Sequence, residues 1–99
     1  MTNITPSTDL QSLSQALEKD LLEFYGVPML QSEKLKEALG YRSIDALRQA
    51  INRGTVPVHV FTIPNRRGKF ALVKDVAYWL AEQRLQNDSQ QQTENKDMK

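Results

Sequence analysis

Cysteine is absent from this 99-residue chain, and histidine occurs once, at His59. The first absence excludes disulfides and thiolate metal sites, and the second leaves no histidine cluster to ligate a metal. Without a cysteine nucleophile, a second histidine or a glycine-rich phosphate loop, the common catalytic and nucleotide-binding devices are missing, so neither enzymatic activity nor a cofactor is expected. Glu18, Asp20 and Glu23 lie close in sequence, but they fall on the polar side of an amphipathic helix and read as a solvated face. No apolar run approaches the roughly eighteen residues that span a bilayer, so no membrane partner is expected. Met1 to Leu10 has neither a basic start nor an apolar stretch; no secretory signal is expected, and the reading is cytoplasmic.

What the chain does have is an uneven distribution of charge. The formal net charge is only +1. Between Tyr41 and Lys74, however, Arg42, Arg48, Arg53, Arg66, Arg67, Lys69 and Lys74 face Asp45 alone, a local net charge of +6 between flanks of −3 and −2. Clustered Lys and Arg attract polyanions, so this middle segment points to a nucleic-acid partner.

Turn and cap residues divide the chain. Residues 1–8, MTNITPST, read as a flexible N-terminus. Thr8, with Gln11 three residues on, forms a capping-box pattern that opens a helix in residues 9–26. Leu10, Leu13, Leu17, Leu21 and Phe24 supply its apolar stripe, and Gly26 and Pro28 stop it. Such a stripe packs on its own domain or against a second copy in a homodimer. Residues 27–85 then read as one domain. Val27–Leu30 is extended; Ser32 caps a helix over Glu33–Leu39, with Leu35, Ala38 and Leu39 inward and Gly40 as its stop. Ser43 caps a third helix that ends at Gly54. In it Ile44, Leu47, Ala50 and Ile51 face the core and Asp45, Arg48, Gln49, Asn52 and Arg53 face out. Pro57–Ile63 and Lys69–Val73 read as two strands of a hairpin, with Pro64–Gly68 as the turn. A last helix from Lys74 or Asp75 carries Val76, Ala77, Trp79, Leu80 and Leu85 over the sheet, with Trp79 a core anchor. Residues 86–99, rich in Gln, Asn and charge, read as a disordered polar tail.

Two helices joined by so short a turn, followed by a basic hairpin, give an α+β fold: a winged helix-turn-helix with an additional N-terminal helix. The residue types suit double-stranded DNA. Arg48 and Arg53 can donate two bonds to guanine, and Gln49 and Asn52 can do the same for adenine. Ser43 and the amides at the helix start can bind a phosphate, and Arg42 sits at the turn beside them. Asn65, Arg66, Arg67 and Lys69 at the hairpin tip can follow the phosphate backbone or enter a minor groove.

The span Met29–Gln83 resembles the small winged helix-turn-helix proteins of the excisionase and MerR-like class. The resemblance lies in the order and spacing of Met29-Leu30, Leu39-Gly40, Arg53-Gly54, Val56-Pro57, Arg66-Arg67-Gly68-Lys69 and Trp79-Leu80. Within that class it is most similar to the pyocin activator protein family, through Phe24-Tyr25-Gly26, Pro57-Val58 and Val73-Lys74-Asp75-Val76-Ala77-Tyr78-Trp79-Leu80. The resemblance implies a sequence-specific transcriptional regulator of a phage-like or mobile genetic element, or an excisionase that bends DNA to direct recombination. Ser43, Arg48, Gln49, Asn52 and Arg53 would then be recognition-helix contacts, Arg66, Arg67 and Lys69 wing contacts, and Arg42 a phosphate contact. A protein-interaction module that docks a recombinase or RNA polymerase through the first helix and the tail is the alternative outside DNA binding.

Overall fold

The computed structural model describes the backbone over residues 6–94 and side chains over residues 9–87. It is a small α+β fold of four helices and one two-stranded antiparallel sheet, in the order α1 (Pro6–Tyr25), β1 (Met29–Leu30), α2 (Ser32–Leu39), α3 (Ile44–Arg53), β2 (Ala71–Leu72) and α4 (Val73–Glu94).

The helix α1 begins at Pro6, so Thr8 lies inside it instead of capping it. Proline suits the first turn because the N–H it lacks would have had no intrahelical acceptor there. Leu10, Leu13, Leu17 and Leu21 are half-buried, as their spacing predicts. The stripe departs from prediction at Phe24, which is 74% exposed, while Leu22 and Tyr25 pack on the core. Both i+3 and i+4 from Leu21 are compatible with a 3.6-residue period, and here the helix uses the second. The same rule explains Ser14, a polar residue that is nevertheless buried, four residues after Leu10. Burial, reinforced by the nearby Glu37 carboxylate, raises the Tyr25 phenol above its ordinary pKa.

The principal neighbour of α1 is α4. Ala77 and Ala81, one turn apart on α4, are fully buried yet lie outside the main core cluster. Such small side chains let two helix backbones approach closely, and α1 is the element placed to cover them. The stripe of α1 is therefore used within its own chain. The helix α4 continues to Glu94, so residues 86–94, expected in a disordered tail, extend it; residues 95–99 and 1–5 lie outside the described ones.

The remaining core gathers Leu30 from β1, Leu35 and Leu39 from α2, Leu47 from α3, Val58, Ala71 from β2, and Val73 and Val76 from α4. Trp79 packs against it, half-buried, as an anchor on α4. The strands pair Met29 with Leu72 and Leu30 with Ala71, and the Val73 N–H extends the ladder by donating to the Pro28 carbonyl at 2.8 Å.

This pairing corrects the expected hairpin. Segment 57–63 is not a strand; it meets the returning segment only at the Phe61–Phe70 bridge, whose two N–H···O bonds measure 2.9 and 2.8 Å. Alternate residues of an extended chain direct their N–H and C=O groups to opposite sides. Phe70 thus pairs with Phe61 on one side while Ala71 pairs with Leu30 on the other. Pro57 has no N–H to offer a ladder, and Val58 turns inward to fill the core, so the segment crosses the domain as irregular chain.

Leu35 is 0% exposed in this core. Leu35→Ala is expected to cost about 2–5 kcal/mol of unfolding free energy, whereas Phe24→Ala should stay within roughly 0.5 kcal/mol. Urea titration followed by circular dichroism checks both; a Phe24→Ala loss as large as that of Leu35→Ala would contradict the outward placement of Phe24 on α1.

Candidate nucleic-acid interface

The α2–α3 connection is built by two end motifs. At the end of α2, Gly40 takes φ 83°, and its N–H donates to the Lys36 and Glu37 carbonyls at 2.9 and 3.2 Å. The Tyr41 N–H also reaches the Lys36 carbonyl, at 3.0 Å, which closes a Schellman-type stop. A Cβ at Gly40 would meet nothing within 4 Å; glycine is required by the left-handed backbone, not by space. The chain restarts at Ser43, extended at φ −154°, whose hydroxyl accepts a 3.0 Å bond from the Ala46 N–H. One hydroxyl thereby satisfies an N–H at the helix start. Its own hydrogen remains for an anion, so Ser43 caps α3 and can also bind a phosphate.

Along α3, Leu47 and Ala50 are buried and Ile44 and Ile51 half-buried, which orients the opposite face outward. Asp45, Arg48, Gln49, Asn52 and Arg53 are all exposed on it, as predicted, and Arg42 is exposed just before the helix. One contact was not anticipated. The Arg48 guanidinium donates to the Asp45 carboxylate at 3.2 Å, with both side chains well exposed. An exposed pair of this kind contributes only about 0.2–0.5 kcal/mol, so it aligns Arg48 without locking it.

The 61–70 loop turns through Ile63–Arg66, where the Arg66 N–H donates to the Ile63 carbonyl at 3.0 Å. Pro64 stands second, and Asn65, third, takes φ 66°, the sequence pattern of a type II turn. Asn65 therefore has a conformational duty that would hold whether or not it touches a ligand. Arg66, Arg67 and Lys69 are exposed but do not form one cluster. Arg66 and Arg67 line an open groove of about 630 Å³ with Val27, Met29, Phe70 and the start of α2. Lys69 lines another, of about 520 Å³, with His59, Phe61 and the C-terminal end of α3. The loop thus faces both helices of the pair, α2 through its arginines and α3 through its lysine.

Three side chains in these grooves carry no sequence signal that would have singled them out. Lys34 lies outside the basic 41–74 block; His59 stacks on Phe61 with ring centroids 6.1 Å apart. Gln31 is the third. It is the N-cap residue of α2, extended at φ −148° with no side-chain cap bond, whereas Ser32, the expected cap, takes φ 53° inside the first turn. The Gln31 side chain donates to the Arg67 carbonyl at 3.0 Å instead.

The charge of this surface is not neutralised internally. Among the described residues, Arg42, Arg53, Arg66, Arg67, Lys69 and Lys74 are exposed and have no ion pair; Arg48 alone of the seven is paired. Also among the described residues, no helix is long and apolar enough to cross a membrane. Comparison of the chain with family models, curated proteins and solved structures returns no match.

Ser43→Ala is expected to lower unfolding free energy by about 1 kcal/mol through loss of the cap. Ser43→Asp should retain most of it, because a carboxylate accepts the same bond and suits the helix N-terminus. Thermal unfolding of the two variants decides this; equal destabilisation would show that the cap contributes nothing.

Proposed function

We propose that the chain is a sequence-specific DNA-binding regulator with a winged helix-turn-helix arrangement, in which α2 and α3 form the helix pair and the 61–70 loop is the wing. The observation that carries this reading is the exposed basic surface, on which only Arg48 of the seven cations between Tyr41 and Lys74 has an ion-pair partner. A folded domain with unpaired like charges on a capped helix and a neighbouring loop is suited to a polyanion. The α3 face adds groups with directional chemistry. Arg48, Gln49, Asn52 and Arg53 match the donor and acceptor patterns of base edges in a major groove. Ser43 and Arg42 would hold the adjacent phosphate, and Arg66, Arg67 and Lys69 would hold the backbone beyond it. The resemblance to excisionase and MerR-like proteins extends the proposal to a locus of phage-like or mobile origin, where the bound complex recruits polymerase or bends DNA for recombination.

A second reading, a protein-interaction module on the same scaffold, is favoured by one observation: Phe24, 74% exposed at the end of α1 and packed edge-on to Tyr25 at 4.8 Å. Large exposed aromatics are frequent anchors of protein interfaces.

Selection of bound duplexes from a random pool separates the readings. A DNA-binding regulator is expected to enrich a repeated motif, and no enrichment would overturn the proposal. With the selected duplex, Arg48→Ala and Asn52→Ala should each narrow the gap between specific and random DNA by about 1–3 kcal/mol. Arg66→Ala and Arg67→Ala should weaken both alike and each reduce the slope of log affinity against log salt by about 1.

A further inference from the structure

We propose that Gln31 is a positioning residue for the wing: its side chain ties the 61–70 loop to the start of α2, so that Arg66 and Arg67 meet a phosphate backbone at a set angle to α3. This rests on the DNA-binding reading above for its purpose, though not for its geometry. Pairing between β1 and β2 ends at Leu30–Ala71. The next rung of that register would set Gln31 opposite Phe70, but the Phe70 backbone groups are already bonded to Phe61 on the far side. The backbone after Gln31 turns away too, because Ser32 takes φ 53° and α2 begins.

The Gln31 side chain continues where the backbone ladder stops. Its Nε2 donates to the Arg67 carbonyl at 3.0 Å. A carbonyl is only an acceptor, so the amide must present its nitrogen, and the bond needs a donor at that position. The neighbouring residue is adapted to the contact. Gly68 has φ 90°, and a Cβ built on it would stand 2.7 Å from Gln31 Nε2. Alanine there would meet both a backbone penalty and the side chain that makes the tie. Gln31, Arg66 and Arg67 share the wall of one open groove, so the bond is made beside the charges it orients.

A positioning residue and a phosphate contact differ in salt dependence. Gln31 is uncharged and neutralises no phosphate. Its loss should leave the bound complex with the same ionic contacts but require the wing to be ordered on binding. The test uses the full chain with Gln31→Met, which keeps length without a donor, and Gln31→Glu, which keeps shape but offers only acceptors. In the free protein, heteronuclear 15N relaxation is expected to show Arg66, Arg67 and Gly68 amides more mobile in both variants, with the Phe61 and Phe70 amides unchanged. For the selected duplex, Gln31→Met should lose about threefold to tenfold in affinity, the scale on which one hydrogen bond stabilises an ordered state, with the salt slope of the parent. Gly68→Ala should weaken binding more in the parent than in a Gln31→Ala background, where the 2.7 Å approach is relieved.

Unchanged loop relaxation in both variants would overturn the proposal. So would loosened relaxation with parental affinity, or a salt slope reduced as in Arg67→Ala, which would make Gln31 a contact. If the parent binds no duplex, the DNA-binding reading fails by itself, and the relaxation experiment still decides whether Gln31 holds the loop.

Discussion

The arrangement of this domain depends on two rungs of antiparallel pairing, Met29 with Leu72 and Leu30 with Ala71. They join the segment that enters α2 to the segment that enters α4, and by doing so close the chain around α3 and the 61–70 loop. The register also decides the core. Leu30 and Ala71 form the rung that points inward, 1% and 0% exposed, while Leu72 faces solvent. Because side chains alternate across a strand, a slip of β1 by one residue would turn Leu30 outward and Met29 inward. So short a ladder cannot hold itself. Leu35, Leu39, Leu47 and Val76 packed on its inner rung hold it, and in return it fixes where both flanking helices begin.

A fold of this size has little apolar surface to bury, and its margin of stability is correspondingly narrow. The contribution of α1 is best understood against that margin. It packs along α4, where Ala77 and Ala81 extend the interior beyond the cluster that includes Leu30 and Leu35. Its C-terminal turn, through Leu21, Leu22 and Tyr25, also packs on that cluster. The first helix is therefore part of the domain's own packing. Phe24 is the residue this arrangement leaves outside.

Local chemistry was legible from residue types alone. Ser43, Gly40 and Gly54 act within a turn or two of their own positions, so their effects need no knowledge of the rest of the chain; the Ser43–Ala46 bond and the left-handed Gly40 and Gly54 follow directly. The two faces of α3 were legible for the same reason. Competition was not. Segment 57–63 has the composition of a strand, but whether it pairs depends on what else contends for the Phe70–Leu72 edge, and Val58 is drawn into the core. Phe24 and Tyr25 offer adjacent aromatics to one stripe, and only the position of the core chooses between them. Ser32 was the obvious cap by type, yet the cap position falls one residue earlier, on Gln31, whose side chain bonds to the 61–70 loop. The polar composition after Gln86 lacks any periodic signal, and the helix that extends to Glu94 continues one nucleated by apolar residues well before it.

The division of labour among the polar residues follows from these constraints. Structural duties fall on uncharged groups: Ser43 caps, Gln31 ties, Asn65 turns, and the Arg67 carbonyl, not its guanidinium, takes the bond that fixes the loop. The charged ends are left over. Acidic residues are plentiful in the flanks, and nothing in the chemistry of Asp or Glu would have prevented pairing them with Arg53, Arg66 or Lys69. Asp45 does so with Arg48, at a separation the helix itself supplies. Leaving the others unpaired costs the folded state some mutual repulsion, modest because exposed charges are screened beyond about 8–10 Å at physiological salt. A cost kept small by solvent and spread over separate elements is one a marginally stable domain can sustain. It also preserves a field that internal ion pairs would cancel. On the DNA-binding reading proposed above, that uncancelled field is what a phosphate backbone would meet.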